Sequence, residues 1–171
     1  MSRRSTRPDL PGDGWTCLGV RYARAAGGKV RCEWCGTAIC WAHRLTHPAG
    51  PTLETGCCCA ANLCTGSGYH AKGAERAAVN RRMRLMTFVS KQWRRSKKNL
   101  DNWCRTLLVD GRPRYSTTIW FDRATGRYRV IVNGPGKAKI EDGVRVSFDD
   151  IERAKHYAFD LIEAHKTGTL P

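Results

Sequence analysis

The sequence predicts an α+β protein, and three observations carry that expectation. A cysteine-rich segment has the spacing of a metal knuckle, a long central stretch is built from helix formers, and the C-terminal third alternates β-branched and aromatic residues before an amphipathic helix. The 171 residues suit one domain or two small ones. Five modules are expected in order: a basic, flexible arm over 1–29, a knuckle over 30–70, a basic helix over 71–107, a linker over 108–114, and a β-β-β-α module over 115–171.

The opening MSRRSTRPDL is basic and polar, and Pro8, Pro11, Gly12 and Gly14 interrupt any regular element, so the arm is expected to order only on a partner. No apolar leader or membrane-length run is visible, which makes a cytoplasmic location with reduced thiols the expectation.

The next module reads CEWCGTAICWAHRLTHPAGPTLETGCCCAANLC over 32–64 and holds seven of the nine cysteines. In a reducing compartment such a cluster points to metal rather than to disulfides. Cys32 and Cys35 form a CxxC followed by Gly36, the tight turn that lets two thiolates face one ion. A second pair must close the tetrahedron. In an extended segment alternate side chains share a face, so Cys57 and Cys59 form that pair and Cys58 points away. The alternation of Ile39, Trp41, His43, Leu45 and His47 reads as a strand. It places the two histidines on one side about 13 Å apart, so at most one reaches the ion. Cys32, Cys35, Cys57 and Cys59 are thus the leading ligand set, with His43 or His47 as the alternative fourth ligand. Cys17, Cys40 and Cys104 are expected to be ordinary small buried residues. The ion is expected to be a structural Zn2+ contributing folding free energy. HExxH and the HxE…PCxxC pattern are both missing, as are a P-loop and a dinucleotide fingerprint, so no enzymatic activity and no small-molecule substrate are expected.

The positive charge is localised. Of the formal +15, residues 71–99 carry +9, from ten basic groups and the single acid Glu75. This stretch has no proline and, after Gly73, no glycine, so it is expected to be a long helix. Ala74, Ala78, Leu85, Phe88, Val89 and Trp93 follow one stripe. Arg76, Arg81, Arg82, Arg84, Lys91, Arg94, Arg95, Lys97 and Lys98 occupy the rest. Like charges this dense repel unless an anion answers them, and phosphate backbone is the obvious anion. Nucleic acid, DNA or RNA, is therefore the expected partner, with Trp93 and Trp103 available to stack on bases. The alternative is a protein-interaction or host-modulating protein that acts on a nucleic-acid-bound machine through an acidic protein partner, and the narrow apolar stripe argues against a membrane surface.

In the last module YSTTIWF (115–121) and RYRVIVN (127–133) form a hairpin across Asp122 to Gly126. After the flexible GPGKAK, GVRVSF (143–148) supplies a third strand, and Asp149 and Asp150 are N-cap candidates for a helix from Ile151 to about His165. Tyr128, Val130, Val132, Val144, Val146 and Phe148 would face that helix, leaving Arg127, Arg129 and Arg145 on the open face.

Two resemblances follow from these residues. A three-stranded sheet backed by one helix over about 115–165 resembles the AP2-type and integrase-arm DNA-binding modules, which implies DNA contacts from Arg127, Arg129 and Arg145. The wider string CxxCG, HxxxHP, GCxCA and a closing AFD looks like a family of small zinc-binding proteins of bacteria and of phages or mobile elements. It is carried by Cys32, Cys35, Gly36, His43, His47, Pro48, Gly56, Cys57, Cys59, Ala60, Ala158, Phe159 and Asp160. The resemblance implies zinc and such a source, and no reaction. His43, Asn62 and His70 also follow the order of an HNH-type nuclease, but no Asp precedes His43, so a metal-dependent nuclease stands as the second alternative.

Overall fold

The computed structural model describes residues 6–23, 30–91, 93–109, 112–141, 143 and 146–169. The chain divides into two compact units, Met1–Arg82 and Met83–Pro171. The α+β expectation holds: among the described residues three α-helices accompany antiparallel sheets.

In the first unit β1 (Thr16–Tyr22), β4 (Trp41–Thr46) and β5 (Thr52–Thr55) form a sheet in the order β1-β4-β5. β2 (Val30–Arg31) and β3 (Ala38–Ile39) pair as a separate two-stranded ribbon. The helix α1 (Cys57–Leu63) follows β5 directly, and α2 (Ala71–Ser90) begins in this unit and ends in the next. Ala42 and His43 are successive residues of the central strand and both are buried, so both faces of β4 are covered. Leu45 joins Trp15, Leu53, Ala60, Leu63, Cys64 and Ala71 in the core. The Trp15 indole N–H donates to the Pro11 carbonyl at 2.9 Å, which satisfies the polar end of a ring that is only 1% exposed.

The expected arm is thus partly structured, because β1 lies along β4 at one edge of the sheet, with a register shift between Cys17 and Gly19 that leaves Leu18 exposed. The signal for it was weak, since the strand TCLGVRY contains a glycine and lacks clean alternation. Residues 1–5 and 24–29 of the arm lie outside the described residues.

The second unit is built on a sheet in the order β10-β9-β8-β7-β6. Its strands are β6 (Arg94–Arg95), β7 (Asn102–Val109), β8 (Arg112–Asp122), β9 (Arg127–Asn133) and β10 (Lys139–Glu141). β11 (Ser147–Phe148) also pairs with β9. α3 (Ile151–Thr167) packs on this sheet. The Asp150 side chain accepts from the Glu152 N–H at 3.0 Å, and Gly168 closes the helix at φ 68°. Ala154, Ala158 and Ile162 share one face at four-residue spacing and meet Ile119, Val130 and Val132. Phe88 from the end of α2 and Phe159 complete the core, their ring centroids 5.7 Å apart.

Several expectations need correction here. The basic helix does not extend over 71–107: α2 stops at Ser90, Arg94–Arg95 is a strand, and β7 begins at Asn102. The cause is a set of side-chain contacts at the helix end. Arg105 on β7 donates through Nη1 to the carbonyls of Phe88 and Lys91, and the Trp93 indole N–H also donates to the Phe88 carbonyl at 3.1 Å. A cation and an indole thus take up the helix-end carbonyls that a continued helix would have used. The linker over 108–114 instead holds the paired ends of β7 and β8, with Leu108 opposite Pro113 and Val109 opposite Arg112, while residues 110–111 lie outside the described residues. The expected three-stranded sheet is larger, and GPGKAK is partly ordered as a 3-10 turn (Pro135–Lys137) leading into β10. Among the described residues of GVRVSF only Ser147–Phe148 is strand, and Val144 and Arg145 lie outside the described residues.

Replacing Arg105 by Ala leaves helix-end carbonyls without their partner. It is expected to lower stability by about 1–3 kcal/mol in denaturant unfolding. An unchanged midpoint would refute the role given to Arg105 in ending α2.

Candidate metal centre

The knuckle is set by backbone geometry. The Cys32 N–H donates to the Thr37 carbonyl at 2.8 Å and the Gly36 N–H returns to the Cys32 carbonyl at 2.8 Å. This turn holds Gly36 at φ 70°, where a side chain would be strained. The Arg31 guanidinium donates to the Gly36 carbonyl at 2.9 Å. Glu33, between the two cysteines, fastens the knuckle to β5. Its N–H donates to the Glu54 carbonyl at 2.9 Å and its carboxylate accepts from the Glu54 N–H at 2.5 Å.

Opposite the knuckle stands the first turn of α1. The Sγ atoms of Cys32, Cys35 and Cys59 all lie within 4.8 Å of one another. Tetrahedral bonds of about 2.3 Å require sulfurs about 3.8 Å apart, so a small contraction around an ion converts the trio into three ligands. Among the described residues this is the only group of three or more His, Cys, Asp or Glu side chains placed to share an ion.

Cys57 is not in the trio, which corrects the expected pair. The cysteine run is helical and not extended, and residues two apart on a helix point about 200° apart. With Cys59 turned to the knuckle, Cys57 turns away, and its Sγ lies 4.0 Å from that of Cys58. Neither histidine belongs to the cluster. His47 caps the β4–β5 turn, its Nδ1 accepting from the Ala49 N–H at 3.1 Å, and its ring lies 5.2 Å from that of Trp15.

The thiols differ in electrostatics. Burial pushes Cys35 up, but contacts with Thr37 and with the thiols of Cys59 and Cys32 outweigh it and bring Cys35 down to about 6. Burial, then Cys35 and Cys32, pushes Cys59 up, and Cys57 is raised to about 11 by burial, Glu75 and Cys58. One thiol is thus ready to ligate at neutral pH while Cys59 needs the ion to release its proton. Of the residues expected to be small and buried, Cys17 and Cys104 are half-buried and Cys40 is exposed.

Beside the trio lies a cavity of about 210 Å³ whose wall includes Cys40, Cys57, Cys58 and Glu75. Glu75 belongs to a polar chain that sequence reasoning missed. His43 is fully buried, with Nδ1 2.6 Å from the Tyr69 hydroxyl and Nε2 3.4 Å from Glu75 Oε2. The Cys17 thiol donates to the same Tyr69 hydroxyl at 3.1 Å. The only signal for the chain was the inward phase of His43 on β4. Its partners are 26 and 32 residues away in sequence.

The side chains expected to contact nucleic acid are placed as follows. Arg76, Arg81, Arg82, Arg84, Lys91, Arg94, Arg95, Lys97 and Lys98 are all exposed. Some are engaged within the protein: Arg82 lies over the Tyr22 ring at 4.1 Å, Arg95 over Trp103 at 4.8 Å, and Arg84 pairs with Glu163 at 2.7 Å. Trp93 packs edge-on against Phe88 with its N–H committed, so it is a core ring before it is a stacking platform. Arg127 is exposed, Arg129 is ion-paired with Asp122 at 2.8 Å, and Arg145 lies outside the described residues. Asn62 and His70 are exposed while His43 is not.

Comparison with protein-family models, with curated proteins and with solved structures finds no match. Among the described residues no helix is long and apolar enough to cross a membrane.

Replacing Cys32, Cys35 or Cys59 by Ser is expected to abolish stoichiometric metal in native mass spectrometry, whereas Cys57→Ser retains it. Loss in Cys57→Ser equal to that in Cys59→Ser would restore the four-cysteine set. A second expectation concerns pH. Burial lowers His43 from its ordinary 6.5, against a smaller upward pull from Glu75. The neutral ring therefore contributes stability above about pH 6.5 that is lost as pH falls through the lowered folded value. His43→Gln should flatten the pH dependence of the unfolding midpoint between about pH 5 and 7. A profile parallel to the wild type would exclude His43 as its source.

Proposed function

We propose that the protein is a zinc-stabilised nucleic-acid-binding protein that grips phosphate backbone through the basic segment beginning at α2. Zinc at Cys32, Cys35 and Cys59 supplies folding free energy to a unit whose apolar core is small.

The observation that carries this reading is the exposure of the cationic side chains of residues 71–99 together with the inward turn of the segment's single acid. Glu75 is engaged with buried His43, so it does not neutralise the outward-facing charge. A surface of one sign attracts a polyanion and releases its counterions on binding, a gain that does not depend on base sequence. The change from helix to strand after Ser90 leaves this intact, because Arg94, Lys97 and Lys98 are exposed on either account.

The test is fluorescence anisotropy with double-stranded DNA, single-stranded DNA and RNA across a salt series. Wild-type affinity should fall log-linearly with salt. Replacing Arg76, Lys91, Arg94 and Lys97 together by Gln should reduce the slope by up to about 3–4 on duplex DNA, near 0.9 per contact. Equal affinity and slope in the variant would reject the reading and point to an acidic protein as the partner.

A further inference from the structure

We propose that the metal centre uses three thiolates only and keeps its fourth coordination position for a small exogenous ligand, water at rest, which hydrogen-bonds to Glu75. The inference rests on the metal-centre half of the reading above.

Helix periodicity is the first argument. A second ligand on the face of Cys59 would have to come from position 56, 62 or 63. These are Gly56, Asn62 and Leu63, so α1 offers no second thiolate on that face. Nor would position 56 accept a longer side chain without movement, because a Cβ there would lie 2.9 Å from Ile39 Cγ2. The helix is thus closed on the side where a fourth cysteine would stand.

Space is the second argument. The cavity of about 210 Å³ is bordered by all three ligands, so the uncoordinated side of the trio faces a void and not packed side chains. At about 30 Å³ per water, it admits several waters or a small monodentate donor.

Charge decides between candidates for the position. Three thiolates on a divalent ion sum to −1, and Glu75 adds a carboxylate in the same wall. A fourth thiolate would bring a further negative charge towards Glu75 and could donate no hydrogen bond to it. Water is neutral, ligates through oxygen and donates to a carboxylate. Glu75 is also a held acceptor. Oε2 sits 3.4 Å from His43 Nε2, and that ring is fixed on its other side by Tyr69 at 2.6 Å. This is the arrangement of an open Lewis-acid site beside an oriented carboxylate, and it takes small oxygen or nitrogen donors.

Cobalt(II) loading of the full-length protein tests the proposal, because thiolate-to-cobalt charge transfer counts sulfurs and visible ligand-field bands report the fourth ligand. The expected result is one cobalt per chain, charge transfer unchanged in Cys40→Ser, Cys57→Ser and Cys58→Ser, and saturable shifts of the visible bands with azide and with imidazole. Glu75→Gln should bind azide severalfold more tightly, since it removes a negative charge beside the position. One cobalt per chain with bands indifferent to azide and imidazole, or charge transfer reduced in any of the three serine variants, would overturn the open position while leaving the metal centre standing. Unchanged azide affinity in Glu75→Gln would overturn the place given to Glu75. No cobalt bound at all would reject the metal centre itself.

Discussion

The approach of the first turn of α1 to the Cys32–Cys35 knuckle is the constraint on which the first unit depends. Its apolar core is short of material, and two of its segments, the β2–β3 ribbon and α1, are too small to persist alone. What brings them together is polar and local: the Glu33 clamp on β5, the returned hydrogen bonds of the knuckle, and the turn of Cys59 inward from a helix that starts at Cys57. Each fixes a sulfur without demanding bulk. Geometry that apolar burial would supply in a larger unit is delegated here to side chains able to ligate.

The second unit follows a different economy of contacts. Its core is continuous, with β-branched residues on β8 and β9 meeting small residues on α3, and alanines at 154 and 158 let the helix lie close to the sheet. Arg105 joins this core to the end of α2. Burial lowers its pKa from the ordinary 12.5, while helix-end carbonyls receive its protons and Phe88 lies 4.7 Å beneath its plane. A half-buried cation is tolerated because the helix terminus acts as its counter-charge.

What could be read from the sequence was what local periodicity determines. β9 spans Arg127–Asn133 as the alternation of RYRVIVN indicates, α3 starts at its Asp150 cap, and the CxxC with Gly36 forms a knuckle. What could not be read was decided by partners distant in the chain. Three consecutive cysteines carry no period of their own, so the choice between extended and helical fell to the junction with β5, and with it the choice of Cys59 without Cys57. Helix formers continue past Ser90, yet Arg105 and Trp93 end the helix there. DGRP reads equally as a linker or as a hairpin turn until the strands beside it are seen to pair. His43 shows the same limit, since its neighbours in space come from α2 and the segment before it.

Two of the edge strands, β1 and β6, bear on association. β1 is interrupted between Cys17 and Gly19, and β6 is only two residues long and consists of Arg94 and Arg95. A shifted register and a pair of guanidinium groups both make poor templates for an incoming strand, because one misaligns the donors and acceptors and the other repels a like copy. The arginines that suit a polyanion therefore also guard an open sheet edge. On the reading proposed above, a chain of this charge gains discrimination from that double use: strands of its own kind are turned away by the same surface that would meet phosphate.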